Sequence, residues 1–288
     1  MPDNEIPILA NIPHSSLIIP EEIRKSLLIN DEQLDRELLL LTDRYTDELF
    51  SVISELGGIV MAYKYSRLVA DPERFEDDSR ELMAKKGMGI IYIRTSGGKP
   101  LRAPLSTAER EKVLEAFVRP YHRAVELKVQ ELLDRFGRCL ILDCHSFSSI
   151  ALPFEFDQSF GRPDICIGTD DYHSPEILSQ TVEAFCTKTH LKILRNKPYV
   201  GSYVPLKYWG KDRRVSSLMI EIRRGLYMDE GTGSKVNSFI KTKDLITQLV
   251  LSIVRIFPQV PLVAKIDGAM KQPRDNFDNP NNFSQREK

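Results

Sequence analysis

The segment RCLILDCH (138–145) constrains the fold more than any other stretch of the 288-residue chain. Its apolar residues follow one another without the alternation of a strand that faces solvent on one side, which predicts a central strand covered on both faces. The run stops at Asp143, Cys144 and His145, ionisable groups that a strand serving only the core does not need. The segment therefore predicts a helix-covered sheet with polar chemistry at the end of a central strand.

Further strand-like runs alternate with segments of helical spacing. The predicted strands cover 7–14, 58–71, 89–94, 164–169, the LKIL segment (191–194) and 215–224. The predicted helices cover 31–58, a stretch around Pro120 that opens at the Ser106/Glu109 capping box and closes at Gly137, a segment after Ser174 and Pro175, and about 241–257. Because of Pro120, the second of these is either a kinked helix or two helices. This alternation predicts an α/β fold, a single domain with a mixed, mostly parallel β-sheet flanked by helices.

The sequence contains no internal repeat and no linker that divides it. From Gly268 onward it is polar and rich in asparagine and proline, which predicts disorder. We therefore expect one domain over residues 1–267, followed by a tail over residues 268–288.

Composition excludes several classes of partner. Hydrophobic residues make up 42% of the chain, charged residues 28%, and the formal net charge is −1, so no overall field recruits nucleic acid or anionic membrane. No apolar stretch is long enough to span a membrane, and the N-terminus lacks the features of a signal peptide. The four cysteines are too few and too scattered for a disulfide framework. These features predict a cytoplasmic protein whose substrate or partner is recognised by a local site and not by overall charge.

Three predicted strands end in polar groups, and ligands of open α/β sheets bind beyond the carboxyl ends of strands. The first ends near His14, the central one at His145, and a late one carries Glu221 between two isoleucines. Two histidines and a carboxylate are common ligands of catalytic zinc. Asp43 and Asp47, one turn apart in the predicted helix, are candidates for that carboxylate, although a solvated helix face also explains them.

Simpler interpretations stand beside the functional ones. His14 also fits a turn, and Asp143 either orients His145 or caps a loop. Because an unpaired buried carboxylate is costly, Glu221 implies either a function or a salt bridge, with Arg223 or Arg74 as the partner.

Nucleophilic catalysis is a competing hypothesis. Cys144 could act as a thiol nucleophile with a neighbouring histidine as base. Strand alternation, however, places Cys144 on the face opposite Asp143 and His145, which favours a packed core residue. A serine hydrolase lacks support because the chain has no G-x-S-x-G pattern.

Several motifs together resemble the N-formylglutamate amidohydrolase family, in the same order and over roughly residues 8 to 230. They are NIPHSS, TDRYTDELF, SRLVADPERF, LDCHS, DICIGT, GSYVPLKYWG and MIEIRRGLYMDE. The resemblance implies a phosphorylase/hydrolase-like fold similar to that of zinc carboxypeptidases, and one Zn²⁺ per chain. It implies the following roles: His14, Asp43 and His145 as metal ligands, Glu221 as the catalytic glutamate, and Arg74 with Arg67 as substrate-binding residues.

Two tyrosines and three departures from the family pattern bear on the substrate. Tyr203 and Tyr208 of the GSYVPLKYWG segment are candidate donors to the oxyanion of the reaction. Ser16 replaces the usual glycine, Pro72 and Glu73 replace leucine and asparagine, and GSYVPLKYWG lacks the second glycine and the histidine.

We therefore predict a zinc-dependent amidohydrolase that cleaves an N-acyl group, N-formyl included, from an acidic amino acid such as glutamate. The alternative is a non-catalytic small-molecule binding or regulatory protein on the same scaffold. Metal content and activity towards N-acyl amino acids distinguish the two.

Overall fold

A computed structural model describes residues 5–261 of the chain, so the predicted tail from residue 268 lies outside the described residues. The strands are β1 (Ile8–Ile12), β2 (Ile59–Ala62), β3 (Cys139–Phe147), β4 (Ile165–Gly168), β5 (Ile193–Arg195) and β6 (Val215–Arg223). They form one six-stranded sheet in the order β2-β1-β3-β6-β4-β5. Every neighbouring pair is parallel except β4 and β6, which confirms the predicted mixed, mostly parallel sheet.

Helices cover both faces of this sheet. They are α1 (Glu21–Arg24), α2 (Asp31–Leu41), α3 (Thr46–Leu49), α4 (Val52–Glu55), α5 (Thr107–Val113), α6 (Arg119–Phe136), α7 (Glu176–Lys188) and α8 (Phe239–Ile256). Short 3₁₀ helices lie at Leu82–Lys86, Arg224–Leu226 and Phe257–Gln259. No helix within residues 5–261 is long and apolar enough to cross a membrane.

The central strand β3 is buried along its whole length, as its sequence predicts. Leu140, Leu142 and Cys144 belong to the larger core cluster, which includes residues of α7 and α8. Cys139 and Ile141 belong to a second cluster that includes residues of α6. Successive side chains of a strand point to opposite faces, so the side chains of β3 divide between two helical layers.

The stretch around Pro120 is two helices joined by a π-helical turn. Ser106 and Glu109 form the predicted capping box at the start of α5, and Gly137 ends α6 with a left-handed φ of 70°. The turn over Leu114–Val118 immediately precedes α6, where Pro120 has no N–H to donate. The structure thus shows the alternative of two helices, and both predicted helix ends are confirmed.

Several predicted elements differ from those of the structure. The helix over 31–58 is interrupted between α2 and α3, where Tyr45 adopts a left-handed φ of 67°. The segment 89–94 forms a loop whose side chains pack in two small local clusters, and only Ile59–Ala62 of the segment 58–71 forms a strand. Helix α7 begins at Glu176, one residue later than predicted. Local apolar spacing misled the two strand predictions because packing of the loops, not pairing in the sheet, buries those residues.

Candidate metal centre

Three neighbouring parallel strands carry the predicted site residues to one edge of the sheet. Strand β3 lies between β1 and β6 and runs parallel to both. His14 follows the end of β1, His145 lies near the end of β3, and Glu221 lies near the end of β6. The carboxyl ends of parallel strands meet at one edge, so the topology brings these three side chains together.

His14, Asp43 and His145 form a buried cluster whose potential ligand atoms all lie within 4.8 Å of one another. Asp43 Oδ2 lies 3.6 Å from His14 Nδ1 and 3.2 Å from His145 Nδ1, and the two imidazole rings are 5.1 Å apart. Both histidines therefore turn the same nitrogen, Nδ1, towards the same carboxylate oxygen.

The interruption of the helix after α2 explains why Asp43 reaches this cluster. Its main-chain N–H donates to the carbonyl oxygen of His14, 2.9 Å away, which ties the interrupted helix to the loop after β1. Asp43 is buried, whereas Asp47, on the short helix α3, is exposed. The predicted arrangement of both acids on one face of a continuous helix is wrong, and only Asp43 lies in the cluster.

Each histidine contacts a carboxylate through its second ring nitrogen. His14 Nε2 lies 2.8 Å from Asp71 Oδ1, and His145 Nε2 lies 3.0 Å from Asp143 Oδ1. Such outer carboxylates accept the Nε2 hydrogen and fix the tautomer in which Nδ1 is free to bind a metal. Asp143 thus holds the orienting position predicted for it.

Asp71 is a site residue that the sequence analysis missed. Its Oδ2 accepts hydrogen bonds from Arg67 Nη2 at 2.6 Å and from the Tyr92 hydroxyl at 2.5 Å. Arg74 Nε lies 3.6 Å from the same oxygen. Burial raises the pKa of Asp71, but the charges of Arg67 and His14 outweigh this effect and hold it well below its ordinary value. The sequence places Asp71 at the end of the predicted strand over 58–71, and only the observed fold shows that it contacts His14.

A buried arginine supports the metal-facing carboxylate. Arg224 Nη2 donates to Asp43 Oδ1 at 2.8 Å, which leaves Oδ2 towards the histidines. Burial raises the pKa of Asp43, but the nearby imidazole of His14, the hydrogen bond with His145 and the charge of Arg224 hold it well below its ordinary value. Asp43 therefore stays ionised, the state that a metal ligand requires.

Glu221 faces the same site from the adjacent strand. It pairs in register with His145, and its Oε2 atom is buried with no hydrogen-bond partner among residues 5–261. Burial, opposed by the charge of His145, raises the pKa of Glu221 to about 8. Arg223 pairs with Asp164 instead, so the alternative of a salt bridge from Arg223 to Glu221 is wrong.

The donor set fits a metal ion. His14 Nδ1 is buried and, within the described part of the chain, lacks a hydrogen-bond partner, although Asp43 Oδ2 faces it. Two imidazole nitrogens and one carboxylate suit zinc and related divalent metals. His145, Asp143 and Glu73 form a second group with potential ligand atoms, but it uses His145 Nε2, the nitrogen whose hydrogen the outer carboxylates accept.

The predicted substrate-binding residues divide into three groups. Arg67 and Arg74 lie beside the cluster through Asp71. Tyr203 adjoins it because its main-chain N–H donates to Asp143 Oδ2 at 2.9 Å. The Tyr208 hydroxyl contacts Gln130 of α6 at 3.1 Å, so the prediction of Tyr208 as an oxyanion donor is wrong.

Cys144 lies in the core, on the face opposite the cluster. It is fully buried among apolar side chains, and burial raises the pKa of its thiol well above the ordinary value. A thiolate nucleophile is therefore disfavoured at this position, and the hypothesis of a thiol hydrolase is set aside.

Comparison with known proteins agrees with this geometry. Residues 6–228 match the family model of N-formylglutamate amidohydrolase. The chain is 29% identical over 231 residues to an N-formylglutamate deformylase of Pseudomonas putida, and 29% identical over 232 residues to one of Pseudomonas aeruginosa. Each alignment covers 78% of this chain and 83% of the relative.

Solved structures share the fold. A crystal structure of N-formylglutamate amidohydrolase from Ralstonia eutropha JMP134 superposes with a TM-score of 0.75 at 24% identity, covering 90% of this chain and 96% of that one. A gene product of Agrobacterium tumefaciens superposes with a TM-score of 0.62 at 19% identity, covering 86% and 91%.

A mixed sheet with a His/Asp cluster at its carboxyl edge, together with these relatives, defines an enzyme of the amide hydrolase class. The family match extends over most of the sequence. The chain belongs to the N-formylglutamate amidohydrolase family. This membership favours an enzyme over the non-catalytic alternative.

Proposed function

We propose that this protein is a zinc-dependent amidohydrolase that removes an N-acyl group, in particular N-formyl, from an acidic amino acid such as glutamate. The observation that carries the proposal is the buried cluster in which His14 and His145 turn their Nδ1 atoms to Asp43 Oδ2. The names of the relatives support the amide bond and the N-formyl group.

His14, Asp43 and His145 would hold the metal, one ion per chain. A zinc ion bound there would supply Lewis-acid chemistry: it would polarise the amide carbonyl and lower the pKa of a bound water molecule towards ~7. Asp71 and Asp143 keep the two imidazoles in the required tautomer, and Arg224 holds the unused oxygen of Asp43.

Glu221 acts as the general base. It stands in register with His145, a candidate metal ligand, so its carboxylate lies where it can take up a proton from water and give it back. Glu221 takes the proton from the attacking water and passes it to the leaving nitrogen. Its unpartnered Oε2 is the atom available for this transfer.

Arg74 binds a carboxylate of the substrate. Its guanidinium is partly exposed, and its Nε is buried without a hydrogen-bond partner among residues 5–261. A guanidinium fork suits two carboxylate oxygens better than a point charge does. Arg67 donates through its Nη2 to Asp71 and so supports the loop that carries Asp71. Tyr203, whose main chain adjoins the cluster, remains the candidate donor to the oxyanion.

The direct test combines chelation with activity. The protein is treated with a chelator, dialysed, and assayed on N-formylglutamate before and after addition of zinc. We expect activity to disappear with the metal and to return with about one zinc equivalent. Full activity in metal-free protein would contradict the metal-dependent function.

A further inference from the structure

Glu73 is the most exposed carboxylate that contacts the candidate metal centre. Its side chain is 14% exposed, compared with 3% for Asp143 and 0% for Asp71. Glu73 Oε1 accepts a hydrogen bond from Asn11 Nδ2 at 2.6 Å, and Oε2 lies 3.0 Å from His145 Nε2. Of these three carboxylates, Glu73 is therefore the one most open to solvent.

The fold engages one oxygen of Glu73. The Nδ2 group of Asn11 carries two hydrogens, and Glu73 Oε1 and Asp143 Oδ1 accept one each, whereas the single Nε2 hydrogen of His145 has Asp143 Oδ1 as an acceptor at 3.0 Å without Glu73. Within residues 5–261 no lysine or arginine forms an ion pair with Glu73, because Arg67 and Arg74 face Asp71. Oε2 is therefore the oxygen of Glu73 that has no donor of its own, and a largely buried carboxylate oxygen in this position favours a ligand that supplies one.

The missing partner is a hydrogen-bond donor. Glu73 and Asp143 stand at equal distances, 3.0 Å, from one imidazole nitrogen, which carries a single hydrogen. Each carboxylate oxygen can accept two hydrogen bonds, so Glu73 Oε2 retains capacity for a donor on its open side. A substrate that brings an N–H to this oxygen supplies what the protein itself does not.

The adjacent residue determines which N–H this is. Glu73 contacts His145, whereas Arg74 contacts Asp71 and through it His14, so the two consecutive side chains flank the cluster. In an N-acyl amino acid, the amide nitrogen and the α-carboxylate are attached to the same carbon. A substrate whose carboxylate binds Arg74 therefore carries its amide N–H beside Glu73.

We propose that Glu73 accepts a hydrogen bond from the N–H of the scissile amide and thereby selects secondary amides over ester and N-alkylated analogues. The inference rests on the proposed function and adds a substrate-binding residue to it. The same oxygen then holds the free amino group of the product.

The test pairs two substrates with two variants. Wild type, Glu73→Gln and Glu73→Ala are assayed on N-formylglutamate and on 2-formyloxyglutarate, an ester in which oxygen replaces the N–H. We expect Glu73→Ala, which has no acceptor, to lose about 10-fold to 100-fold in kcat/KM for the amide, as for a hydrogen bond to a charged group, and Glu73→Gln, which keeps a neutral acceptor oxygen, to lose less, while the ester is little affected in both. Asp78→Asn, which changes an exposed acid of the same loop, should leave both substrates unaffected.

Three outcomes would overturn the inference. Equal losses on amide and ester would mean that Glu73 does not recognise the N–H. Loss of bound metal in Glu73→Gln, measured by elemental analysis, would assign Glu73 to metal binding instead. If the wild-type protein cleaves neither compound, the proposed function fails and this inference fails with it. If the wild-type protein is active but the Glu73 variants keep its ratio of kcat/KM for amide to ester, only the inference is contradicted.

Discussion

Glu221 of β6 stands in register with His145 of β3 across two parallel strands. Paired residues of neighbouring strands point to the same face, so this carboxylate and this imidazole are adjacent. Within the part of the chain that the structure describes, Glu221 Oε2 has no hydrogen-bond partner. The pairing of β3 with β6 thus places the free oxygen of this carboxylate next to the side chain of a candidate metal ligand.

The first prediction concerns Glu221→Gln. The change preserves shape but removes the ability to take up a proton, so kcat should fall by ~10² to 10⁴ with the metal still bound. Because Arg223 pairs with Asp164, the substitution leaves no arginine unpaired and the melting temperature should stay close to that of wild type. A folded, metal-loaded variant with near-normal kcat would rule out general-base catalysis by Glu221.

The second prediction concerns Arg74→Lys. A lysine retains the charge but loses the bidentate fork, so KM for N-formylglutamate should rise by about 10-fold to 100-fold. Arg123→Lys on α6, where the side chain is 60% exposed, is the matched control and should not change KM. Equal cleavage of an N-formyl amino acid and its neutral carboxamide by wild type would show that Arg74 does not bind a carboxylate.

The third prediction separates the metal hypothesis from thiol catalysis. Cys144 is fully buried in the core, so Cys144→Ala should cost about 1 kcal/mol of unfolding free energy, roughly one buried methylene equivalent. Steady-state kinetics should give an unchanged kcat/KM, still abolished by chelator. Loss of activity in the folded variant, together with insensitivity of wild type to chelators, would revive the nucleophilic cysteine.

The fourth prediction concerns pH and His173, away from the metal cluster. His173 Nδ1 donates to the carbonyl oxygen of Val215 at 2.7 Å, and Nε2 accepts the N–H of Gly210 at 2.8 Å, so the fold uses the neutral ring. Burial lowers the pKa of His173 in the folded protein. The charged groups that face it are Asp170, Arg213 and Asp212.

Unfolding therefore takes up a proton at His173 when the pH lies below the ordinary histidine pKa of ~6.5. The contribution of His173 is complete above that pH and is lost as the pH falls towards the lowered folded pKa, by at most ~1.4 kcal/mol per pH unit. Melting temperatures measured from pH 7.5 to 5 should fall less steeply for His173→Gln than for wild type and for His190→Gln, which changes an exposed histidine. Identical slopes in all three proteins would contradict the prediction.

The sequence predicts the central sheet well and the loops poorly. The run that forms β3 is buried on both faces, so its composition alone identifies it, and its last residues carry His145 to the site. The positions of Asp43 and Asp71 depend on the interruption of a helix and on loop packing, which no local hydrophobic periodicity predicts. Tyr208 is the opposite case. It lies in a segment that the sequence links to the site, but its hydroxyl contacts Gln130 of α6.

Metal content tests the central claim most directly. Wild type, Asp43→Asn and Asp47→Asn are purified with zinc, dialysed and analysed for bound metal, with circular dichroism as the check on folding. Because Asp43 faces both histidines and Asp47 is exposed, we predict about one zinc per chain in wild type and Asp47→Asn, and a large loss in folded Asp43→Asn. Wild-type protein that binds no metal, or Asp43→Asn that retains full occupancy, would contradict the proposed centre.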